Sequence, residues 1–232
     1  MRILKKGKYK VFAREYEFGK KNDRVNPTVL LGSNGQLRFE GKIDRFDVAG
    51  SRARIIDYKT GNKTFSLKEC MDGTDMQLPL YAYAMPHKDG ETPYDVTGFF
   101  YVRATGKYYT EKPDRSLSGR VIRDVDVVRE YDDDLQVDDL PSDVLSGSVK
   151  TTDKKGTHFS TRSKMPVERC EMDELILQCK ANADVAADEI SEGYILRSPI
   201  KDACEYCPYA GICGGGDVRA FDYGDTTDAE ED

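Results

Sequence analysis

The alternation of apolar and polar residues in the N-terminal part of the chain predicts β-strands. Apolar or aromatic residues alternate with charged ones over residues 8–18, 28–31, 36–48 and 52–58. Turn-forming residues at Gly50 and Ser51 separate the last two of these segments, which predicts a β-hairpin. Residues 94–103 form a nearly continuous apolar run, which is typical of a strand buried on both faces.

Apolar residues three or four positions apart predict helices over residues 66–85 and 167–193. Ser66 is a candidate N-cap for the first helix, although Gly73 and Pro79 disfavour an unbroken one. The order of strands, helix, strand and helix predicts a mixed α/β fold.

Between the last predicted strand and the last helix, residues 104–166 are rich in Asp, Lys, Gly, Ser and Thr. This composition predicts an insertion or an elaborated loop, because such segments seldom supply enough apolar residues for a core. Residues 124–130 are the one segment here for which we expect a strand.

Composition and charge add constraints on location and partners. The chain has 232 residues with 38% hydrophobic composition, which suffices for a real core. No run approaches the roughly 18 apolar residues of a membrane span, and no secretory signal is recognisable, so we expect a cytoplasmic protein without membrane contact. The net charge of −7 comes mostly from an acidic tail at residues 217–232, so nucleic acid remains open as a partner.

Candidate chemistry begins with two aspartates and a lysine. Asp44 and Asp57 lie on the two strands of the predicted hairpin, and Lys59 follows Asp57 by two positions, on the same face of its strand. Two carboxylates and an ammonium group at one sheet edge suit a divalent cation such as Mg²⁺ together with phosphate oxygens. Alone, the Asp-x-Lys pattern is more often a polar strand end.

The predicted helix that follows carries Gln77 and Tyr81 one turn apart, on one face. Such a pair is by itself more often an ordinary helix surface. Because this pair follows Asp44, Asp57 and Lys59 in the chain, we favour the interpretation that the five residues form one site.

Three of the six cysteines, Cys204, Cys207 and Cys213, have the close spacing of thiolate ligands. Without an export signal they are expected to be reduced thiols or metal ligands rather than disulfides. Cys170 and Cys179 lie on the last predicted helix, where buried apolar cysteines are the expected role.

These motifs together resemble the RecB-like branch of the PD-(D/E)XK nucleases. The matching segments are Gly-Lys-Ile-Asp44-Arg, Ile-Asp57-Tyr-Lys59-Thr-Gly, Gln77-Leu-x-Leu-Tyr81 and the Cys-x2-Cys-x5-Cys cluster. The resemblance is strongest to the C-terminal nuclease domain of the AddB type, from bacterial ATP-dependent helicase–nucleases. It implies a restriction-endonuclease-like core, in which a central mixed sheet is flanked by helices.

The resemblance also implies roles for individual residues. Asp44 and Asp57 would bind Mg²⁺ or Mn²⁺ together with the carbonyl of Tyr58, and Lys59 would be the catalytic lysine. Gln77 and Tyr81 would support the site or contact DNA.

The cysteine trio would hold a 4Fe–4S cluster that clasps the C-terminal segment onto the core. Its fourth ligand is not identified, because the family's upstream cysteine has no counterpart before Cys70. The family's first helix is also missing, and Ile43 replaces the proline of the family motif. The chain is therefore expected to begin part-way into the homologous domain.

The implied organisation is a nuclease core over residues 1–200, the cysteine clasp over 201–216 and the acidic tail over 217–232. The implied function is a metal-dependent deoxyribonuclease, with exonuclease action favoured, which works with a helicase subunit of an AddAB-type complex in DNA end processing and recombinational repair. Two alternatives stay open: a non-catalytic DNA-binding or scaffolding module, and a CRISPR-associated RecB-like exonuclease.

Overall fold

The computed structural model describes eleven parts of the chain: residues 4, 6–19, 29–85, 94–104, 117–136, 144–145, 148–152, 156–194, 204, 207–209 and 212. The chain divides into two compact units, Met1–Glu192 and Gly193–Asp232. The predicted acidic tail lies outside the described residues. The strands, the helices and the predicted catalytic residues all belong to the first unit.

The segments in which apolar and polar residues alternate, together with the apolar segment at 94–103, contribute to one large sheet and two small hairpins. The strands are β1 (Lys10–Phe18), β2 (Val29–Leu31), β3 (Leu37–Phe39), β4 (Gly41–Ala49), β5 (Arg52–Lys59), β6 (Asp95–Arg103), β7 (Leu117–Ile122), β8 (Val149–Thr152), β9 (Gly156–Phe159) and β10 (Pro166–Val167). The large sheet has the order β1-β4-β5-β6-β7-β10, whereas β2 pairs with β3 and β8 with β9. The sheet is mixed, since β5–β6 and β7–β10 are parallel and the other neighbours antiparallel.

Helices cover both faces of the central strands. They are α1 (Leu67–Met71), α2 (Gln77–Tyr83), α3 (Val125–Tyr131) and α4 (Arg169–Ser191), with a short 3-10 helix at Asp133–Gln136. The parallel strands β5 and β6 need a crossover, and α1 and α2 supply it. Both helices contact α4, while α3 packs beside β7.

The middle of the sheet is the core of this unit. Every residue of β6 between its two ends is buried, and so are five consecutive residues of β5. The predicted buried strand at 94–103 is thus confirmed. Burial along β5 ends just after Asp57, and Tyr58 and Lys59 at the carboxyl end of the strand are half-buried.

Several sequence-based predictions are confirmed with refinements. The hairpin at 36–58 exists as β4–β5, although its first predicted strand divides at Glu40 into β3 and β4. The helix at 66–85 divides into α1 and α2, and Gly73 adopts a left-handed backbone conformation (φ 77°) between them. Ser66 caps α1 as predicted, because its side chain accepts a hydrogen bond from the Glu69 amide at 3.3 Å.

The strand predicted at 124–130 is wrong, because these residues form α3. The Asp124 side chain accepts hydrogen bonds from the amides of Asp126 and Val127 and so begins the helix. Val128 and Tyr131 then face the core at helical spacing. The range 104–166, predicted as an insertion, also contains β7, which pairs with β6 inside the central sheet.

Among the helices of the described ranges, none combines the length and apolar character needed to cross a membrane.

Candidate active site

The β4–β5 hairpin brings the two predicted metal-binding carboxylates together. The antiparallel register pairs Arg45 with Ile56, and its extension by one residue sets Asp44 opposite Asp57. Opposite residues of antiparallel strands project from the same face. The Tyr58 amide donates a hydrogen bond to Oδ2 of Asp44 at 2.9 Å, which ties the Asp44 carboxylate to the end of β5.

Asp57, Lys59 and Gln77 form a closed ring of polar contacts. Nζ of Lys59 lies 2.7 Å from Oδ2 of Asp57 and donates a hydrogen bond to Oε1 of Gln77, also at 2.7 Å. Nε2 of Gln77 completes the ring by donating to Oδ1 of Asp57 at 2.9 Å. Each side chain therefore limits the rotamers of the other two.

The helix α2 is what places Gln77 in this ring. Gln77 is its first residue, and Tyr81 lies one turn later on the same side, where its hydroxyl accepts a hydrogen bond from Nε2 of Gln77 at 3.1 Å. The structure thus brings together Asp57, Lys59, Gln77 and Tyr81, as the sequence predicts. Their roles in catalysis remain predictions.

Gly41 makes room for the aromatic packing behind Tyr81. A Cβ atom at Gly41 would lie 2.5 Å from the Phe18 ring and 3.2 Å from the Tyr81 ring. These two rings pack edge to face with centroids 5.8 Å apart. The glycine of the Gly-Lys-Ile-Asp motif is therefore needed for close packing, three residues before Asp44.

Burial is the main cause of a raised pKa at Asp57. The carboxylate side chain is 3% exposed, and this burial raises the pKa of Asp57. The Lys59 ammonium lowers that pKa in part, while the carboxylates of Asp44 and Asp75 raise it further. Lys59, at 27% exposure, is the solvent-facing member of the pair. The site therefore holds more negative charge than one ammonium group neutralises.

The predicted ligand set suits a hard divalent cation. Within the described residues no group of three or more His, Cys, Asp or Glu side chains is arranged to hold a metal ion. The prediction names only two acidic side chains, Asp44 and Asp57, with the carbonyl oxygen of Tyr58. All three donors are oxygens, and Mg²⁺ commonly binds one or two carboxylates and fills its remaining positions with water and phosphate.

Two residues next to the ring were not identified from the sequence. Tyr101, on β6, has its ring centroid 4.9 Å from Nζ of Lys59, and its hydroxyl donates a hydrogen bond to Oδ1 of Asp75 at 2.7 Å. The sequence predicts Tyr101 only as a residue of the buried strand. Asp75 precedes Gln77 by two positions, which is the only local signal that could have indicated it.

The cysteines are distributed over both units. In the second unit, Cys204 is exposed and Cys207 half-buried, and the Cys207 amide donates to the Cys204 carbonyl at 3.4 Å, in a turn. Cys213 lies outside the described residues, so the predicted ligand trio remains a prediction. In the first unit Cys179 is buried as expected, but Cys170 is exposed, and its predicted burial is wrong. Cys170 lies on the outer side of the first turn of α4.

Comparison with known proteins points to one family. The family model of the PD-(D/E)XK nuclease superfamily matches residues 2–214. The chain is 28% identical to the B subunit of the ATP-dependent helicase/deoxyribonuclease of Alkaliphilus oremlandii, 29% identical to that of Caldanaerobacter subterraneus subsp. tengcongensis and 28% identical to that of Clostridioides difficile. Each match covers 90% of this chain but only 19% or 20% of the relative. The chain therefore spans about a fifth of the length of these relatives.

Proposed function

The chain belongs to the PD-(D/E)XK nuclease superfamily, and from that membership and the geometry of the site we propose that it is a metal-dependent DNA nuclease domain that hydrolyses phosphodiester bonds. The observation that carries this proposal is the ring of contacts among Asp57, Lys59 and Gln77, with Asp44 opposite Asp57.

Each residue has a distinct part in this proposal. Asp44, Asp57 and the Tyr58 carbonyl hold Mg²⁺ or Mn²⁺, which when bound lowers the pKa of water and offsets phosphate charge. Lys59 orients the attacking water or stabilises charge that develops on the phosphate. Gln77 accepts a hydrogen bond from the Lys59 ammonium and donates one to Asp57, so it keeps both groups aligned.

The relatives support a wider biological setting. Their names describe a subunit of an ATP-dependent helicase/deoxyribonuclease. We propose that this chain acts in the same way, as an exonuclease that processes DNA ends for recombinational repair beside a helicase subunit. The sequence contains no Gly-x4-Gly-Lys-Ser/Thr motif, so ATP hydrolysis in such a complex belongs to other polypeptide segments.

A cleavage assay tests the nuclease proposal. Labelled linear single-stranded and duplex DNA is incubated with the protein and Mg²⁺ or Mn²⁺, with EDTA in a parallel series. We expect EDTA to abolish cleavage and Lys59→Ala to lower kcat by about 10²- to 10⁴-fold, the usual contribution of one group that acts on protons or charge.

Lys68→Ala is the matched control, because Lys68 is an exposed lysine of α1 that pairs only with Asp72 among the contacts described. It should cut DNA at the wild-type rate. Metal-independent cleavage, or cleavage that survives Lys59→Ala, would exclude this site. Metal-dependent DNA binding without cleavage by the wild type would favour the non-catalytic module.

The cysteine trio is a separate proposal. We propose that Cys204, Cys207 and Cys213 are ligands of a 4Fe–4S cluster, on the strength of their spacing and the family resemblance. Protein purified without oxygen should contain iron and acid-labile sulfide, and Cys207→Ala should lose both. Iron that remains after this substitution, or zinc in its place, would refute the cluster.

A further inference from the structure

The connection between α1 and α2 contains a carboxylate that the mechanism above does not use. Asp75 has a side-chain exposure of only 11%. Its Oδ1 atom accepts a hydrogen bond from the Tyr101 hydroxyl at 2.7 Å, and its Oδ2 atom lies 3.1 Å from Nζ of Lys63. Burial of a carboxylate is unfavourable unless specific partners compensate it, and these two contacts supply that compensation. What remains to be explained is why a carboxylate is buried at this position.

Tyr101 links this carboxylate to the candidate active site. The parallel register of β5 and β6 pairs Tyr101 with Asp57. The Tyr101 ring then lies beside Lys59, with Nζ 4.9 Å from the ring centroid, within the range of cation–π attraction. Lys59 is therefore held by three groups: the Asp57 carboxylate, the Gln77 amide oxygen and the Tyr101 ring.

Asp75 also connects the start of α2, where Gln77 lies, to the central sheet. It precedes Gln77 by two residues, and the N-cap residue between them, Met76, makes no side-chain cap hydrogen bond. The Asp75–Tyr101 hydrogen bond joins positions 26 residues apart and anchors the start of α2 to the central strand β6. This hydrogen bond thus connects two of the three groups that hold Lys59, the Tyr101 ring and Gln77. The Asp75 backbone is held in addition by its amide, which donates to the Glu69 carbonyl at 3.2 Å, and by its carbonyl, which accepts from Sγ of Cys70 at 3.0 Å.

We infer that Asp75 and Tyr101, hereafter the Asp75–Tyr101 clamp, are positioning residues that hold the Lys59 ammonium group against Asp57. This inference rests on the proposed nuclease function in so far as Lys59 takes part in cleavage. A hydroxyl that donates to a carboxylate also makes its ring richer in electrons, which strengthens attraction to the ammonium group. The clamp therefore acts through the ring of Tyr101 and through the position of Gln77.

Kinetics of substitutions in the clamp test this role. Tyr101→Phe keeps the ring and removes its anchor, and Asp75→Ala removes the acceptor. Each should lower kcat by about 10- to 100-fold, as is usual for residues that orient a catalytic group, with the KM for DNA unchanged. Asp75→Asn keeps an acceptor for the Tyr101 hydroxyl and should restore kcat close to wild type.

A second arm asks whether the clamp works through Lys59. In a Lys59→Ala background, Tyr101→Phe should lower kcat much less than it does in the wild type, because no ammonium group is left to position and only the contact of Gln77 with Asp57 can still be disturbed. Tyr131→Phe is the matched control. Tyr131 is a fully buried tyrosine on the opposite face of the sheet, where its hydroxyl hydrogen-bonds to Thr97. It should reduce stability without a change in kcat.

A readout without DNA or metal separates this inference from the proposed function. In ¹H–¹³C NMR spectra of the full chain, the Tyr101 ring current should displace the ε-methylene signal of Lys59, which is assigned from its loss in Lys59→Arg. The displacement should vanish in Tyr101→Leu, shrink in Tyr101→Phe and Asp75→Ala, and persist in Asp75→Asn and Tyr131→Phe.

Each outcome decides one of the two claims. Displacement that is absent from the wild type, or unchanged by Asp75→Ala, overturns the clamp, and so does additive loss of kcat in the Lys59→Ala background. A wild type that shows the expected NMR pattern but never cleaves DNA supports the clamp and refutes the nuclease function instead.

Discussion

The β4–β5 hairpin carries an acid–base pair on each of its two faces. The two pairs differ in their exposure to solvent and in how fully the charge of the carboxylate is neutralised. On one face Asp57 and Lys59 are two residues apart along β5. On the other face Arg45 and Asp47 have the same separation along β4, joined by bonds of 2.6 and 2.8 Å. Simple strand periodicity produces both pairs.

The pair on the Arg45 face is closed to solvent. Asp47 is fully buried, and a second guanidinium group, that of Arg54, also donates to its Oδ2 atom at 3.0 and 2.9 Å. Arg54 is fully buried as well, and its guanidinium group lies 4.9 Å from the ring of Tyr9 and 5.4 Å from that of Tyr131. Helix α3 and the N-terminal segment seal this face.

The pair on the Asp57 face remains accessible. Lys59 is partly exposed, and Oδ2 of Asp57 has its ion-pair contact but receives no well-aligned hydrogen bond within the described residues. Negative charge here exceeds positive charge, whereas two guanidinium groups surround one carboxylate on the other face. An acid–base pair thus becomes a candidate site when its charges are incompletely satisfied and open to a ligand.

The same substitution on the two faces should give opposite phenotypes, and Asp57→Asn should show the larger effect. We expect a loss of cleavage of about 10²- to 10⁴-fold, because a metal-binding carboxylate is removed. Stability should not fall, since Lys59 can be hydrated and burial already disfavours the Asp57 charge. Single-turnover cleavage and urea unfolding measure the two quantities. A large loss of stability would mean that the pair is structural.

Asp47→Asn should instead destabilise the fold by about 3–5 kcal/mol, because it leaves the Arg54 charge buried without a counter-ion. Urea unfolding followed by circular dichroism measures this loss. Lys42→Ala is a suitable control, because Lys42 lies on the same strand, β4, and its exposed ion pair with Glu15 on β1 should add nothing to the unfolding midpoint. If both variants unfold alike, the Arg45 face contributes no special stability.

Gln77→Ala should have a smaller effect than the loss of Asp57. We expect kcat to fall by about 10- to 100-fold, since Asp57 and Lys59 stay in place but lose their common partner. Tyr81→Phe removes only the hydroxyl that contacts Gln77 and keeps the packing against Phe18, so its loss should be smaller still. Single-turnover rates rank the two variants, and the reverse order would contradict the proposed role of Gln77.

The smallest expected effect comes from the caps of two short helices. Asp124→Ala removes the cap of α3, on the Arg45 face, and should cost about 1 kcal/mol of stability with no change in cleavage rate. Ser66→Ala removes the cap of α1, on the Asp57 face, and should slow cleavage in addition, because α1 leads directly to Asp75 and Gln77. Equal cleavage rates in both variants would show that α1 does not position the site.

Much of this site could be predicted because its signals are local in the chain. Asp57 and Lys59 share a face through the two-residue period of a strand, and Gln77 and Tyr81 through the turn of a helix. The hairpin follows from alternation and a turn, so Asp44 could be predicted opposite Asp57.

Other features were wrong or missed because they depend on distant partners. The segment at 124–130 has a valine pattern that suits a strand. Its helical form uses the Asp124 cap, which is a local signal, and also the burial of Tyr131 against Tyr9, which is distant in the chain. Likewise β7 is a six-residue segment that follows a polar stretch of the sequence, and it is a strand because β6 offers it an edge.

The sequence by itself determined which side chains leave the same face of a strand or helix, because backbone geometry sets that period whatever the rest of the chain does. Only the tertiary structure decided that the Asp57 pair is accessible while the Arg45 pair is sealed, and that Asp75 reaches Tyr101. Solvent exposure and the partners of a charge depend on segments brought together from far along the chain, and they decide whether a pair of charges stabilises the fold or remains available for chemistry.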